Sequence, residues 1–165
     1  MLGPMSSFVS HAASPANPSA VPVGCSSLKL RQLSRRVSQH FDRYLAAAGI
    51  KTTQYSLLST IIKCEPARPG DLALWLDMDA STLTRNLQPL VAHGWVTVGP
   101  GEDRRSRRVM ATAAGRAKRA QAQRDWKRAQ LALNERLGSD TVCSLHALLD
   151  GCLERLGASP ESDAR

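Results

Sequence analysis

One stretch of the chain places hydrogen-bonding side chains along a single helix face. Apolar residues recur at positions 83, 87 and 90, the step of an amphipathic helix, and Asp79 is placed to cap its first turn. The opposite face carries hydroxyl, amide and guanidinium groups, which suit hydrogen bonds with the base edges and phosphates of DNA. The candidate contact residues on this helix are Ser81, Thr82, Thr84, Arg85, Asn86 and Gln88.

A basic hairpin is predicted directly after this helix. Residues 95–98 and 108–111 are strand-like, and a Gly-Pro-Gly turn with a charged tip separates them. The tip and second strand carry four candidate DNA-binding arginines. Arg104, Arg107 and Arg108 would contact phosphates or hold the hairpin. Arg105 is our candidate for the minor groove, where a narrow groove deepens the negative potential. Asp103 is interpreted as a buttress that orients an arginine, because phosphate repels a carboxylate.

Two further helices are predicted before the polar helix. An apolar stripe indicates the first over about residues 27–48, and the second is expected to run from a cap at Thr52 or Thr53 to about Cys64. A short third helix follows, and residues 77–79 then form a tight turn. Two short helices joined by three or four residues, the second polar on its outer face, have the spacing of a helix-turn-helix.

Two more helices are predicted after the hairpin, over residues 113–137 behind a cap at Thr112 and over residues 139–157. The expected fold class is therefore mainly α with a small β wing (α+β), a winged helix-turn-helix domain with a helical dimerisation region. Its domain would span residues 26–158, with the DNA-binding part at about 52–112. Composition predicts a disordered N-terminal arm at 1–25 and a polar tail at 159–165.

The charge distribution favours a polyanionic partner. The chain has a net charge of +8, and eleven of its 22 Lys and Arg residues lie between positions 85 and 128, together with three acids. Concentrated positive charge on a folded domain is typical of phosphate binding, and solvated helix faces are the alternative. We expect no membrane span and no secretory signal, because long apolar runs and a basic N-terminal region are missing.

These motifs together resemble the MarR family of bacterial winged helix-turn-helix regulators. The similarity covers about residues 28–157, and the family's wing pattern Asp-x-Arg-(Asp/Ser)-x-Arg is filled by Asp103, Arg105, Ser106 and Arg108. The segments that match the family are Thr-Gln-Tyr at 53–55, Leu72-Ala73, Asp79-Ala-Ser-Thr-Leu-Thr-Arg-Asn-Leu87, Gly94-Trp95-Val96 and Gly101-Glu-Asp-Arg-Arg-Ser-Arg-Arg-Val109.

The resemblance implies a homodimer whose dimerisation helices lie at about 27–48, 113–137 and 139–157. Such a dimer reads a pseudopalindrome, with recognition helices in successive major grooves. It further implies a transcriptional repressor in the bacterial cytoplasm, associated with the nucleoid and released from its operator by a small phenolic or aromatic ligand or by cysteine oxidation. The implied partners are double-stranded DNA and a second copy of the chain; no cofactor is expected.

Cys25 is the candidate redox residue. It lies just before the first helix, where free backbone N–H groups and Lys29 and Arg31 would favour the reactive thiolate; a passive thiol is the alternative. Cys143 and His146 share a helix face, but two ligands make half of a zinc site, so no metal site is expected.

Relatives also bind aromatic acids or phenols between the dimerisation helices and the winged domain. The candidate pocket residues here are Arg36, His40, Tyr44 and Tyr55, and a place in the core is the alternative for both tyrosines. Two other functions stay open: an architectural DNA-binding protein without an effector, and a thiol-dependent enzyme. The enzyme would need a cysteine with a partnered base, and no such motif is present in the sequence.

Overall fold

The computed structural model describes residues 23–101 and 106–157. Its elements are α1 (Ser26–Leu45), a 3₁₀ turn (Ala46–Ala48), α2 (Thr52–Cys64), α3 (Pro69–Trp75), α4 (Ala80–Ala92), β1 (Val96–Pro100), β2 (Arg107–Ala111), α5 (Ala113–Leu137) and α6 (Ser139–Gly157). The expected fold class, mainly helical with one small two-stranded sheet, is confirmed. The predicted arm lies outside the described residues as far as position 22, and the predicted tail lies outside them entirely.

One apolar core joins α2, α3 and α4 to the hairpin. The largest fully buried side chains include Leu58 and Ile61 of α2, Leu72 of α3 and Leu83 of α4. Val109 of β2 is also fully buried. Full burial of one such side chain contributes about 1.5–3 kcal/mol. This core therefore fixes α4 and the hairpin against the same support.

Local capping chemistry sets the boundary between the hairpin and α5. The Thr112 hydroxyl accepts a hydrogen bond from the Gly115 amide at 3.0 Å and donates to the Gly94 carbonyl at 2.7 Å. Gly94 has a φ of 69°, a left-handed conformation that favours glycine at the end of a helix. The predicted cap at Thr112 is confirmed.

The start of α2 differs from the prediction of a threonine cap. The cap position is Lys51, whose amide donates to Gln54 Oε1 at 3.0 Å. Both the amide and the hydroxyl of Thr52 donate to Asp42 Oδ1, each at 2.7 Å. The Thr52 hydroxyl donates to the Asp42 carboxylate of α1, so Thr52 joins α1 to α2 instead of capping α2.

The long helices pack through aromatic side chains. Trp126 of α5 stacks on Tyr55 of α2 at a centroid distance of 5.9 Å and lies 6.1 Å from Phe41 of α1. α6 contacts α5, and its buried residue is Val142. No helix in the described part of the chain is long and apolar enough to cross a membrane.

Candidate nucleic-acid interface

A tight turn gives α4 a capped and exposed first turn. The chain reverses at Asp77, which has a φ of 49°, and the Met78 amide donates to the Ala73 carbonyl at 2.9 Å. Asp79 then caps α4, because its Oδ1 accepts the Thr82 amide at 2.8 Å. The predicted turn and cap are both confirmed. α3, this turn and α4 form the helix-turn-helix that the spacing predicts.

The surface of α4 is divided into an apolar and a polar side. Its buried residues are Leu83, Leu87 and Leu90. The polar residues that periodicity places opposite them are all exposed: Ser81, Thr84, Arg85 and Gln88. Because the leucines anchor α4 in the core, this exposed face has a fixed orientation on the domain surface.

The two remaining candidates on α4 are half-buried and bonded within the domain. The Thr82 hydroxyl donates to Asp79 Oδ2 at 2.6 Å. The Asn86 side-chain amide donates to Met78 Sδ at 3.6 Å. Both residues border the polar face, and each would exchange an internal hydrogen bond for a contact outside the domain.

The hairpin stands beside α4 as a short antiparallel ladder. Val98 pairs with Val109, and the Gly101 amide donates to the Ser106 carbonyl at 2.7 Å where the loop closes. A Cβ on Gly101 would meet the Ser106 side chain, so this close approach favours glycine.

The structure describes two of the four hairpin arginines. Arg107 is exposed and Arg108 is half-buried. Asp103, Arg104 and Arg105 lie outside the described residues, and their roles stay predictions.

Two residues in the connector after α2 support the hairpin and were not singled out in the sequence. Ala67 pairs with Val109 through two backbone hydrogen bonds, of which the one from the Val109 amide measures 2.9 Å. Glu65 Oε2 accepts the Ala111 amide at 2.7 Å, and Glu65 Oε1 forms an ion pair with Arg116. No local pattern signals Glu65, because Ala111 is 46 positions further along the chain.

Part of the positive charge on α5 is used inside the domain. Arg116 pairs with Glu65. The Lys118 ammonium donates to the Ala48 carbonyl at 3.0 Å and lies 5.6 Å from the centre of the Trp95 ring. These cations stabilise contacts between elements, so the density of Lys and Arg between positions 85 and 128 overstates the charge available to a ligand.

Known proteins share this arrangement of α4 and hairpin. A model of the MarR family matches residues 48–106, the region from the end of the 3₁₀ turn to the hairpin. The transcriptional regulator MosR from M. tuberculosis is 30% identical over 79% of this chain and 96% of its own, with a TM-score of 0.66. The chain belongs to the MarR family.

Two other relatives are matched over different shares of their length. A mutant of MarR from E. coli, solved in complex with operator DNA, is 28% identical over 77% of this chain and 92% of its own, with a TM-score of 0.69. YwoH from Bacillus subtilis, an uncharacterized HTH-type transcriptional regulator, is 27% identical over 84 residues, or 51% of this chain. The match spans 61% of the length of YwoH.

The candidate ligand pocket of this MarR-family chain is only partly as predicted. A cavity of about 680 Å³ lies between α1 and α5 and is lined in part by Arg36 and His40. An adjoining cavity of about 350 Å³ includes His40 and Tyr44. Tyr55 lines neither cavity, because it is buried in the core against Trp126. Tyr55 thus takes the alternative given for both tyrosines, a place in the core.

The position of the cavity also differs from the prediction. Both cavities are lined by residues of α1 and α5, whereas we expected a pocket between these helices and the winged domain. His40 is buried and donates from Nε2 to the Ala129 carbonyl at 2.8 Å, so it joins the two helices at the cavity wall. The cavity also contains Arg43 and Arg136, two cations that the sequence did not indicate.

The four cysteines are free thiols in this MarR-family chain. Cys25 is exposed at the cap position of α1. The nearby Lys29 ammonium donates to the Val23 carbonyl at 3.1 Å. Cys143 and Cys152 are exposed on α6. Among the described residues, no three His, Cys, Asp or Glu side chains are grouped so as to hold a metal ion.

Proposed function

We propose that the protein is a transcriptional regulator that binds double-stranded DNA in a sequence-specific manner. The observation that carries this proposal is the exposed polar face of capped α4 beside a basic hairpin. α4 would lie in the major groove, and the hairpin would reach the adjacent minor groove. The relationship to MarR, a protein solved with operator DNA, supports the same assignment.

The proposed contacts divide by chemistry. Arg85 and Gln88 would reach base edges from the centre of the exposed face. Arg105 would enter the minor groove, with Asp103 orienting an arginine beside it. The other proposed contacts, to phosphates or base edges, are Ser81, Thr82, Thr84, Asn86, Arg104, Arg107 and Arg108.

We further propose that the protein acts as a homodimer. Several large apolar side chains on α1, α5 and α6 are exposed: Leu28, Leu30, Leu131, Leu148, Leu153 and Leu156. All six lie on the three helices expected to dimerise, and contiguous exposed apolar surface is typical of a protein–protein interface. A symmetric pair would present two copies of α4 to a pseudopalindromic site about one helical turn apart.

Release from DNA is proposed to follow either ligand binding or oxidation. The cavity between α1 and α5 combines Arg36, Arg43 and Arg136 with apolar residues such as Leu133, which suits a small aromatic carboxylate. The exposed thiol of Cys25 is the candidate for oxidation. In this proposal the protein is a repressor in the bacterial cytoplasm, where it occupies operators on the nucleoid.

Selection of bound fragments from sheared bacterial DNA tests the DNA-binding proposal. We expect enrichment of a pseudopalindromic motif, and an affinity for it of about 10⁻⁸ M or tighter at physiological salt, at least 10³-fold above that for unrelated DNA. Equal affinity for all fragments would contradict a sequence-specific regulator and favour an architectural protein.

The release mechanism is tested with benzoate and with hydrogen peroxide on the preformed complex. Dissociation by benzoate that is lost in Arg36→Ala assigns release to the cavity. Dissociation by peroxide that is lost in Cys25→Ser, but kept in Cys152→Ser, assigns it to oxidation. A complex that resists both reagents contradicts the proposed release by these two routes.

A further inference from the structure

Three hydroxyl groups at the start of α4 already have acceptors inside the domain. The Ser81 hydroxyl donates to Asp79 Oδ1 at 2.5 Å, and the Thr82 hydroxyl donates to Asp79 Oδ2 at 2.6 Å. The Thr84 hydroxyl donates to the Ala80 carbonyl at 2.8 Å. A hydroxyl has one hydrogen to donate and two lone pairs that accept. The hydroxyl hydrogens are therefore already used, and the oxygens can only accept hydrogen bonds from a ligand.

The carboxylate of Asp79 is a strong acceptor. The hydrogen bond from the Ser81 hydroxyl, followed by the bonds from Thr82, holds the pKa of Asp79 far below its ordinary value of 3.8. Asp79 is thus ionised at physiological pH, and hydrogen bonds to an ionised group are about twice as strong as those between neutral groups. A phosphate oxygen is also only an acceptor. To bind the Ser81 hydrogen it would have to displace this carboxylate and approach its negative charge.

Arg85 places donors directly beside the Ser81 acceptor. Its Nη2 donates to Ser81 Oγ at 3.3 Å, and its Nε donates to the Ser81 carbonyl at 3.4 Å. One lone pair of Ser81 Oγ and three of the five N–H donors of Arg85 remain for a base pair. Both residues are exposed. An oxygen that accepts and a guanidinium that donates therefore stand together, one helical turn apart on the same face. In the major groove, a G·C pair presents the matching groups: O6 and N7 of guanine accept, and the N4 amino group of cytosine donates.

We propose that Asp79 determines specificity by fixing the Ser81 hydroxyl as an acceptor for the N4 amino group of a cytosine whose paired guanine is bound by Arg85. This inference rests on the proposed function, in which α4 enters the major groove. Asp79 itself touches no base, so it acts as a positioning residue through Ser81. Its carboxylate restricts what the exposed face can bind, and thereby excludes a pair that presents an acceptor at the same place.

The test is selection from a randomised 30-base-pair library by the full chain and three variants. In Ser81→Ala, we expect the preference for one G·C pair in each half-site to relax. Affinity for the selected DNA should fall by about 3- to 10-fold, the effect of one hydrogen bond, while affinity for unrelated DNA stays the same. The control is Thr60→Val on α2, whose hydroxyl donates to the Ser56 carbonyl at 3.1 Å; it should leave the selected motif unchanged.

Asp79→Asn separates specificity from folding. Asparagine is nearly as good a cap as aspartate, so α4 should persist, as checked by helical circular dichroism. The Thr82 amide and the Ser81 hydroxyl share Asp79 Oδ1, so asparagine keeps both bonds and places its NH₂ beside the Thr82 hydroxyl. The substitution thus removes only the negative charge that holds the Ser81 hydrogen. We expect the preference for the G·C pair at this position to relax, because a neutral acceptor holds the Ser81 hydrogen only about half as strongly while Arg85 still binds the guanine, with no loss of helix content.

The outcomes separate this inference from the proposed function. If the wild-type chain enriches no motif, the proposed function fails. If a motif is enriched but Ser81→Ala weakens all DNA equally, Ser81 binds phosphate and the inference is overturned. A Ser81-dependent preference for adenine, whose N6 amino group also donates, would overturn the assignment to a G·C pair. An unchanged motif in Asp79→Asn would overturn the role of Asp79.

Discussion

Glu65 and Arg116 form an ion pair that joins the end of α2 to the first turn of α5. The same carboxylate accepts the backbone amide of Ala111, the last residue of β2, at 2.7 Å. The Glu65 side chain is 10% exposed, so it has given up most of its water and depends on these partners. One residue from a connector thus holds α2, β2 and α5 together at the base of the hairpin.

We predict that Glu65→Ala destabilises the domain and loosens the hairpin. The substitution leaves the Ala111 amide without its acceptor and Arg116 without its counter-ion, and one unsatisfied buried group costs about 1–3 kcal/mol. Urea unfolding would measure the loss. The control is Asp125→Asn, which removes the more exposed Arg128–Asp125 pair and should change the free energy of unfolding by at most about 1 kcal/mol. Equal losses in the two variants would contradict a special role for Glu65.

The parts of the site that the sequence predicts are those governed by local rules. The polar face of α4 follows from helical periodicity, and the caps at Asp79 and Thr112 follow from side chains that reach an amide three residues away. Neighbours along the chain are sufficient to specify both features.

The parts that the sequence does not predict depend on packing between distant segments. Glu65 resembles any polar residue of a connector until β2 is placed against it. A tyrosine is a suitable residue for a pocket wall or for the core. Tyr55 lies in the core because Trp126, far along the chain, stacks on its ring. Lys118 counts as surface charge until the Ala48 carbonyl is brought to 3.0 Å from its ammonium.

We predict that Arg105→Ala weakens DNA binding and reduces its dependence on salt. Each phosphate contact contributes about −0.9 to the slope of log K against log salt concentration, and an arginine in the minor groove adds to the local charge neutralisation. Fluorescence anisotropy at several salt concentrations would give both quantities. Arg124→Ala removes an exposed arginine of α5 and should leave the slope unchanged. If Arg105→Ala has the wild-type affinity and slope, the hairpin does not bind DNA.

We predict that Leu153→Asp converts a dimer to a monomer. Leu153 is 62% exposed on α6, and a carboxylate there would have to be desolvated at the proposed interface. Light scattering coupled to size-exclusion chromatography would give the mass of each variant. Leu74→Asp, at a residue of α3 that is 81% exposed, makes the same chemical change outside the proposed interface and should remain dimeric. A wild-type chain that elutes as a monomer would refute the dimer itself.

We predict that the stability difference between the wild type and Asp79→Asn depends on pH only under acidic conditions. The Ser81 hydroxyl, and then Thr82, lower the pKa of Asp79 in the folded protein. A group with a lowered folded pKa stabilises the protein above its unfolded pKa, and this contribution is lost as pH falls through the folded value. The difference in urea midpoint should therefore be constant from about pH 5 to 8 and shrink below about pH 4. Asparagine does not titrate, so it provides the reference at every pH. A difference that instead changed between about pH 6 and 7, where histidine titrates, would contradict control by Asp79.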